Sequence, residues 1–295
     1  MIRIRLALLL STLAPMTMLF VPHLDAGDPV DARAHENEPT QTTTLASPPS
    51  MAPLSSTVIT GVSATSVPLQ EVWWTAAKGE PVLELAERWG IPASELLALN
   101  PAMKRTSVVS PGTTLKVYRA SPERPPRSIG TPNRGRLVNG IPLPEGPAWR
   151  LRDVRNRIYG TDVTIGALVE TFRSYGNAFP DGPPILVGDI SRRRGGRASP
   201  HVSHRTGRDV DIGFLLTGTF DDPERWHKAT STNFDAEKNW FLVRSLVESG
   251  SVQTIYMSYR VQRLLLRHAR KFLSPEELPR YFRTPDQDPQ DPAVL

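Results

Sequence analysis

Between Gly188 and Asp211 the sequence concentrates groups that bind metal ions and move protons. Gly188-Asp189-Ile190-Ser191 and Gly195-Gly196-Arg197 lead into His201-Val202-Ser203-His204-Arg205-Thr206-Gly207-Arg208-Asp209-Val210-Asp211. Two of the chain's six histidines and two carboxylates fall within eleven residues. Zinc accepts imidazole nitrogen and carboxylate oxygen, and a catalytic zinc site leaves one position for water. His204 on a loop and Asp211 on the following strand can converge on one ion. They are not helix neighbours four apart, so this is not the His-Glu-x-x-His pattern. Asp209 and Asp211 sit two apart and share a strand face. Their like charges repel unless a cation or hydrogen bonds compensate. One can ligate while the other orients a histidine. The same residue types also fit a polar turn, in which Ser, His and Asp bond to loop backbone.

The elements around this stretch alternate between the two periodicities. Pro184 to Gly188, Val210 to Leu216 and Val252 to Met257 read as strands. Val163 to Phe172, Phe234 to Val247 (capped by Thr232 or Asn233) and Tyr259 to Phe272 read as helices. The class is therefore α+β. Upstream, Val72-Trp73-Trp74 reads as a strand and Lys78 to Pro81 as a turn. Val82, Leu85, Ala86 and Trp89 form a helical stripe stopped by Gly90. A second helix, capped by Ser94, carries Leu96, Leu97 and Leu99 and ends at Asn100-Pro101. After a turn at Ser110 to Gly112, Thr114 to Tyr118 closes the segment as a strand, giving a βααβ order over residues 71–119.

Composition sets further bounds. The chain has 295 residues and no cysteine, which excludes disulfides, thiolate ligands and a cysteine nucleophile. Its formal charge of +5 favours anionic partners, such as cell-wall polymers or anionic membrane surfaces. No motif that reads nucleic acid is present, so nucleic acid is not expected as a partner. Arg3 and Arg5 precede an apolar run from Leu6 to Val21, which reads as an export signal cut after Ala26. An uncleaved anchor is the other reading of that run. No stable membrane span is expected once the signal is removed. Residues 27–70, rich in Pro, Ser and Thr, read as a disordered tether, and residues 120–127 as a stiffer linker.

Two resemblances follow from these residues. Gly79-Glu80, Gly90-Ile91, Leu96, Leu99-Asn100-Pro101 and Pro111-Gly112-Thr113-Thr114-Leu115 make residues 71–119 resemble a LysM module. That resemblance implies binding of N-acetylglucosamine-containing glycans, with Gly79, Glu80, Asn100 and Pro101 as candidate contacts. The same residues also serve as helix punctuation. From about Ser128 onward the chain resembles the penicillin-insensitive murein endopeptidases, zinc peptidases of the D-Ala-D-Ala metallopeptidase and lysostaphin group. Gly188-Asp189, Gly195-Gly196-Arg197 and the His201 to Ile212 run carry the likeness. So do Ser128-Ile129-Gly130, Gly135-Arg136-Leu137, Leu143-Pro144 and Arg155 to Gly160.

The second resemblance implies a zinc cofactor held by His204 and Asp211. It implies His201 as a catalytic residue and Arg197, Ser203 and Asp209 as substrate-binding residues. The substrate would be peptidoglycan, its glycan strands and stem peptides, and the location periplasmic or otherwise extracytoplasmic. The chain departs from the family pattern in one respect. A third ligand is expected from a later His-x-His strand, yet only His227 and His268 follow Asp211. The expectation is thus a small βααβ module followed by an α+β domain whose central antiparallel sheet lacks its last strand. The resemblance implies hydrolysis of the peptide cross-links of peptidoglycan; without the third ligand the chain is expected to have little or no such activity, and a catalytically inactive LysM wall-binding protein is the alternative. A carboxypeptidase of the same zinc group is a further option.

Overall fold

A computed structural model describes residues 1–6, 69–152 and 155–282. The apolar part of the expected export signal, nearly all of the tether and the segment 284–295 lie outside the described residues. The described residues fall within one compact unit.

The chain opens with strand β1 (Ile2–Leu6). Residues 71–119 then run β2 (Glu71–Thr75), β3 (Glu80–Pro81), α1 (Val82–Trp89), α2 (Ala93–Leu99), β4 (Val108–Val109) and β5 (Thr114–Arg119). Antiparallel β2 and β5 enclose the pair, and Val72, Trp74, Leu85, Leu96, Leu115 and Val117 are buried. Gly90 ends α1 at φ 65°, a left-handed turn that suits glycine. The Ser94 cap is corrected: α2 starts at Ala93 after extended Pro92, whose carbonyl takes the first amides, so Ser94 lies inside the first turn.

A hairpin of β6 (Arg127–Thr131) and β7 (Arg134–Val138) follows. Next come β8 (Ile141–Pro142), β9 (Trp149–Leu151), β10 (Tyr159–Gly160) and α3 (Asp162–Ala178). Thr161 caps α3 by accepting from Thr164 N at 3.2 Å. The remainder is β11 (Ile185–Val187), β12 (Asp209–Ile212), α4 (Ala236–Glu248), β13 (Val252–Tyr256) and α5 (Tyr259–Ala269). Asp235 caps α4, not Thr232 or Asn233, because Asn233 is engaged by Thr230 N and Lys228 O within its loop.

The main sheet has five strands in the order β13-β1-β12-β11-β9. The expected antiparallel sheet is corrected to a mixed one, because β9 and β11 run parallel. A parallel pair needs a crossover, and α3 lies between these two strands in the chain. The expectation of a missing strand takes an unforeseen form. The sheet position between β12 and β13 is filled from the other end of the chain, by β1, antiparallel to both.

Its alternation explains the fit. Ile2 and Ile4 are fully buried with Val210, Ile212 and Ile255, while Arg3 and Arg5 lie opposite Asp211 and Asp209. Residues read as the charged start of an export signal are therefore held in the sheet by buried apolar contacts and two ion pairs.

The 71–119 segment and the small β8–β10 sheet share a buried hydrogen bond. Tyr159 Oη donates to Trp89 O at 2.7 Å. The Arg155 guanidinium lies 4.4 Å from the Trp74 ring centre, and Arg193 pairs with Glu95. Burial pushes the Tyr159 phenol well above its ordinary range, so it stays a donor. Tyr159→Phe leaves the Trp89 carbonyl buried and unpaired, at a cost of about 1–3 kcal/mol. Urea unfolding should show that loss as a lower midpoint with an unchanged slope.

Candidate metal centre

β12 has both of its faces committed. Val210 and Ile212 point into the core, and Asp209 and Asp211 point to the opposite face. Both carboxylates are nearly fully buried, and each has cationic or hydrogen-bonding partners. Asp209 accepts from Arg5 Nε at 3.2 Å and from the His204 amide at 3.2 Å. Asp211 accepts from Arg3 Nε at 3.0 Å. The compensation that two neighbouring carboxylates require thus comes in part from β1, through Arg3 and Arg5.

The loop before β12 turns back under tight constraints. Gly195, at φ 66°, has no room for a side chain, since an added Cβ would come within 2.0 Å of Leu137 N. His204 takes a left-handed backbone at φ 61°, unusual for a residue with a side chain. Its amide bond to Asp209 and its ring contact with Ile190 O hold it there. Such local strain is found where the surrounding structure fixes a side chain for use.

His204 is fully buried, and its Nδ1 lies 3.1 Å from Ile190 O. A carbonyl only accepts, so Nδ1 carries the proton and Nε2 presents its lone pair. That Nε2 is buried without a hydrogen-bond partner and stands 3.3 Å from Asp211 Oδ1. Two ligands of a tetrahedral zinc, each roughly 2 Å from the ion, are about 3.3 Å apart. An orphaned imidazole nitrogen beside a carboxylate at that spacing fits a metal ion, with the backbone carbonyl orienting the ring from behind.

His201 completes the group. The ligand atoms of His201, His204 and Asp211 all lie within 4.8 Å of one another. The two rings meet edge to face at 4.9 Å. His201 Nε2 is 3.3 Å from Asp189 Oδ2, and Arg157 Nη1 donates to the same oxygen at 2.8 Å. Burial alone would raise the Asp189 carboxyl, but His201 and Arg157 outweigh it and hold it below the ordinary value. Burial opposes ionisation of Asp211, yet its carboxyl is held below the ordinary value, with the Arg3 guanidinium beside it favouring the charged form. Both acids are therefore carboxylates at neutral pH.

The other candidate residues separate from this cluster to different degrees. Ser203 is buried beside His204, and its hydroxyl lacks a hydrogen-bond partner. Arg197 is exposed on the loop before Ala198. His227 contacts Asp222 O at 2.6 Å and stacks on Phe220, and His268 lies against Phe272 on α5. Neither joins the cluster. In the 71–119 segment, Gly79 and Pro101 are exposed. Glu80 is buried and paired with Arg88, while Asn100 bonds to Leu96 O and to both backbone groups of Lys116. Those two side chains are turned to internal partners and serve the fold.

Sequence reasoning did not single out Asp189, Arg157 or Arg3 as members of the site. Asp189 stands within the quoted motif, and the Ile-Arg alternation of residues 2–5 is itself a strand signal.

The comparison with protein families bears on this cluster directly. Residues 128–271 match the family of penicillin-insensitive murein endopeptidases. The matched murein endopeptidase region contains His201, His204, Asp211, Asp189 and Arg157, and it leaves β1 and the 71–119 segment outside. A search of the curated proteins gives no match. No helix among the described residues is long and apolar enough to cross a membrane.

Proposed function

We propose that this protein is a zinc-dependent murein endopeptidase that works outside the cytoplasm on peptide cross-links of peptidoglycan. The observation that carries the reading is the orphaned His204 Nε2 facing Asp211 within a three-residue ligand group. The family match supplies the substrate class. In this reading His204, Asp211 and His201 hold the ion, and His201 takes the place of the third ligand that the sequence lacks further on. Zinc, when bound, polarises a carbonyl oxygen and lowers the pKa of a bound water.

The chain's own residues do the rest. Ile190 O and Asp189 fix the orientation of the two imidazoles, and Arg157 keeps Asp189 ionised. The exposed Arg197 presents a planar fork suited to a stem-peptide carboxylate. Ser203 offers a hydroxyl beside the site. The 71–119 segment serves as a LysM-like glycan contact through exposed Gly79 and Pro101, and Tyr159 on β10 ties it to the region that follows. Docking on glycan raises the local concentration of cross-links.

The test is digestion of purified cross-linked muropeptide dimers by the zinc-loaded protein, with products separated by mass. Monomers should accumulate and chelation should stop the reaction. Release of free D-alanine with dimers left intact would assign a carboxypeptidase instead. Intact dimers with no D-alanine would leave a wall-binding protein.

A further inference from the structure

Helix α5 (Tyr259–Ala269) has two faces of opposite character. Val261, Leu265 and Ala269 are buried, and the helix packs on α4. Arg260, Arg263, Arg267, Arg270 and Lys271 are all exposed. At 3.6 residues per turn these cations fall within an arc of about 100°, on the side away from the buried residues. No acid occurs between Tyr259 and Pro275, so the stripe has no partner on its own element. None of its members forms an ion pair among the described residues. On neighbouring α4, by contrast, Arg244 pairs with Glu248 at 2.8 Å, and Lys238 pairs with Asp235 at 2.6 Å.

The stripe does not serve the helix that carries it. Arg260 and Arg263, Arg263 and Arg267, and Arg267 and Lys271 stand three or four apart, where like charges repel. The helix dipole favours Arg267 in the last turn but disfavours Arg260 in the first. Asp235 and Glu237 at the start of α4 lie within electrostatic reach of His268, and Asp235 is already bound to Lys238. An anionic surface would relieve the repulsion that the fold leaves in place. Directly after Lys271 the chain presents Phe272, whose ring is 61% exposed. Cations that attract headgroups, next to an aromatic ring that enters the acyl boundary, are the parts of an interfacial anchor.

We propose that α5 is a peripheral docking surface for a bilayer rich in anionic phospholipid, with the arginine stripe on the headgroup phosphates and Phe272 in the interface. Phe272 favours a bilayer over a soluble polyanion, which offers nothing to an apolar ring. No described helix is long and apolar enough to cross a membrane, so the contact made by α5 lies at the surface. This surface goes beyond the peptidase reading and stands whether or not the chain cleaves cross-links.

The experiment sediments the full chain with vesicles of phosphatidylglycerol and phosphatidylcholine in equal parts, and with phosphatidylcholine alone. The neutral vesicles measure what the apolar run of residues 6–21 contributes, and the preference for anionic vesicles is the quantity read. Wild type is compared with Arg263→Gln/Arg267→Gln, with Phe272→Ser, and with Arg134→Gln/Arg136→Gln, which removes the same charge from exposed positions on β7. Circular dichroism and the urea midpoint verify folding of each. The α5 pair should lose at least about tenfold of the preference, since each cation at an anionic surface contributes about fivefold. The β7 pair should stay within about twofold, its charges being screened at a distance. Phe272→Ser, which keeps every charge, should weaken binding to anionic vesicles at least about threefold. A wild type without the preference, an unchanged α5 pair, or an equal loss in the β7 pair overturns the proposal. Wild-type binding by Phe272→Ser would mean contact through charge alone, as an anionic polymer makes, and overturns the lipid assignment.

Discussion

His204→Ala is expected to abolish muropeptide cleavage and to reduce zinc affinity by more than about 100-fold. Even the groups that merely orient a metal ligand cost 10–100-fold when removed, and in the proposed centre His204 is itself a ligand, its Nε2 having no hydrogen-bond partner. The substitution also empties a fully buried position on a left-handed turn. Alanine there tolerates the backbone poorly, so part of the loss could come from the loop. His204→Asn separates the two effects, because Asn accepts a left-handed backbone more readily. It should keep the melting temperature closer to wild type and still lose the zinc. Metal content after gel filtration, measured by plasma emission, reads the result. A His204→Ala protein that retains one zinc per chain would remove His204 from the ligand set.

Phe172→Ala is expected to destabilise the fold by about 3–5 kcal/mol, the range for truncating a buried aromatic ring. Phe172 is fully buried on α3 and packs against Trp149 of β9 at 5.6 Å between ring centres. It joins the crossover helix to the parallel edge of the sheet. A loss of that size is a large share of the 5–15 kcal/mol typical of a folded domain. Urea unfolding at 25 °C measures it. A change below about 1 kcal/mol would mean that α3 is not anchored there as described.

The sequence carried the local chemistry better than the long-range assembly. Asp209 and Asp211 share a strand face because a strand repeats every two residues, and that was legible in the spacing. The approach of His204 to Asp211 was legible too, as a loop residue returning to the next strand. The role of β1 was not. Ile2 to Leu6 is five residues long, precedes an apolar run and carries two arginines, so local pattern favoured an export signal. Only pairing with β12, more than two hundred positions away, turns its alternation into a strand with a buried face.

The family resemblance points downstream of Asp211 for a third ligand, where only His227 and His268 stand. His201 lay three residues before His204, and spacing alone does not say that two loop imidazoles will face one carboxylate. The parallel pairing of β9 and β11 is not legible in the sequence for a related reason. The three residues Trp149 to Leu151 are too short for a periodic signal, and their partner is reached only across α3.

The most direct measurement is X-ray absorption at the zinc edge on the full chain loaded with one equivalent of zinc. The account predicts a light-atom first shell with the multiple-scattering signature of two imidazoles and one carboxylate oxygen, losing one imidazole in His201→Ala and one in His204→Ala. A shell with a single imidazole in the wild type, or one unchanged by either substitution, would contradict the three-residue centre.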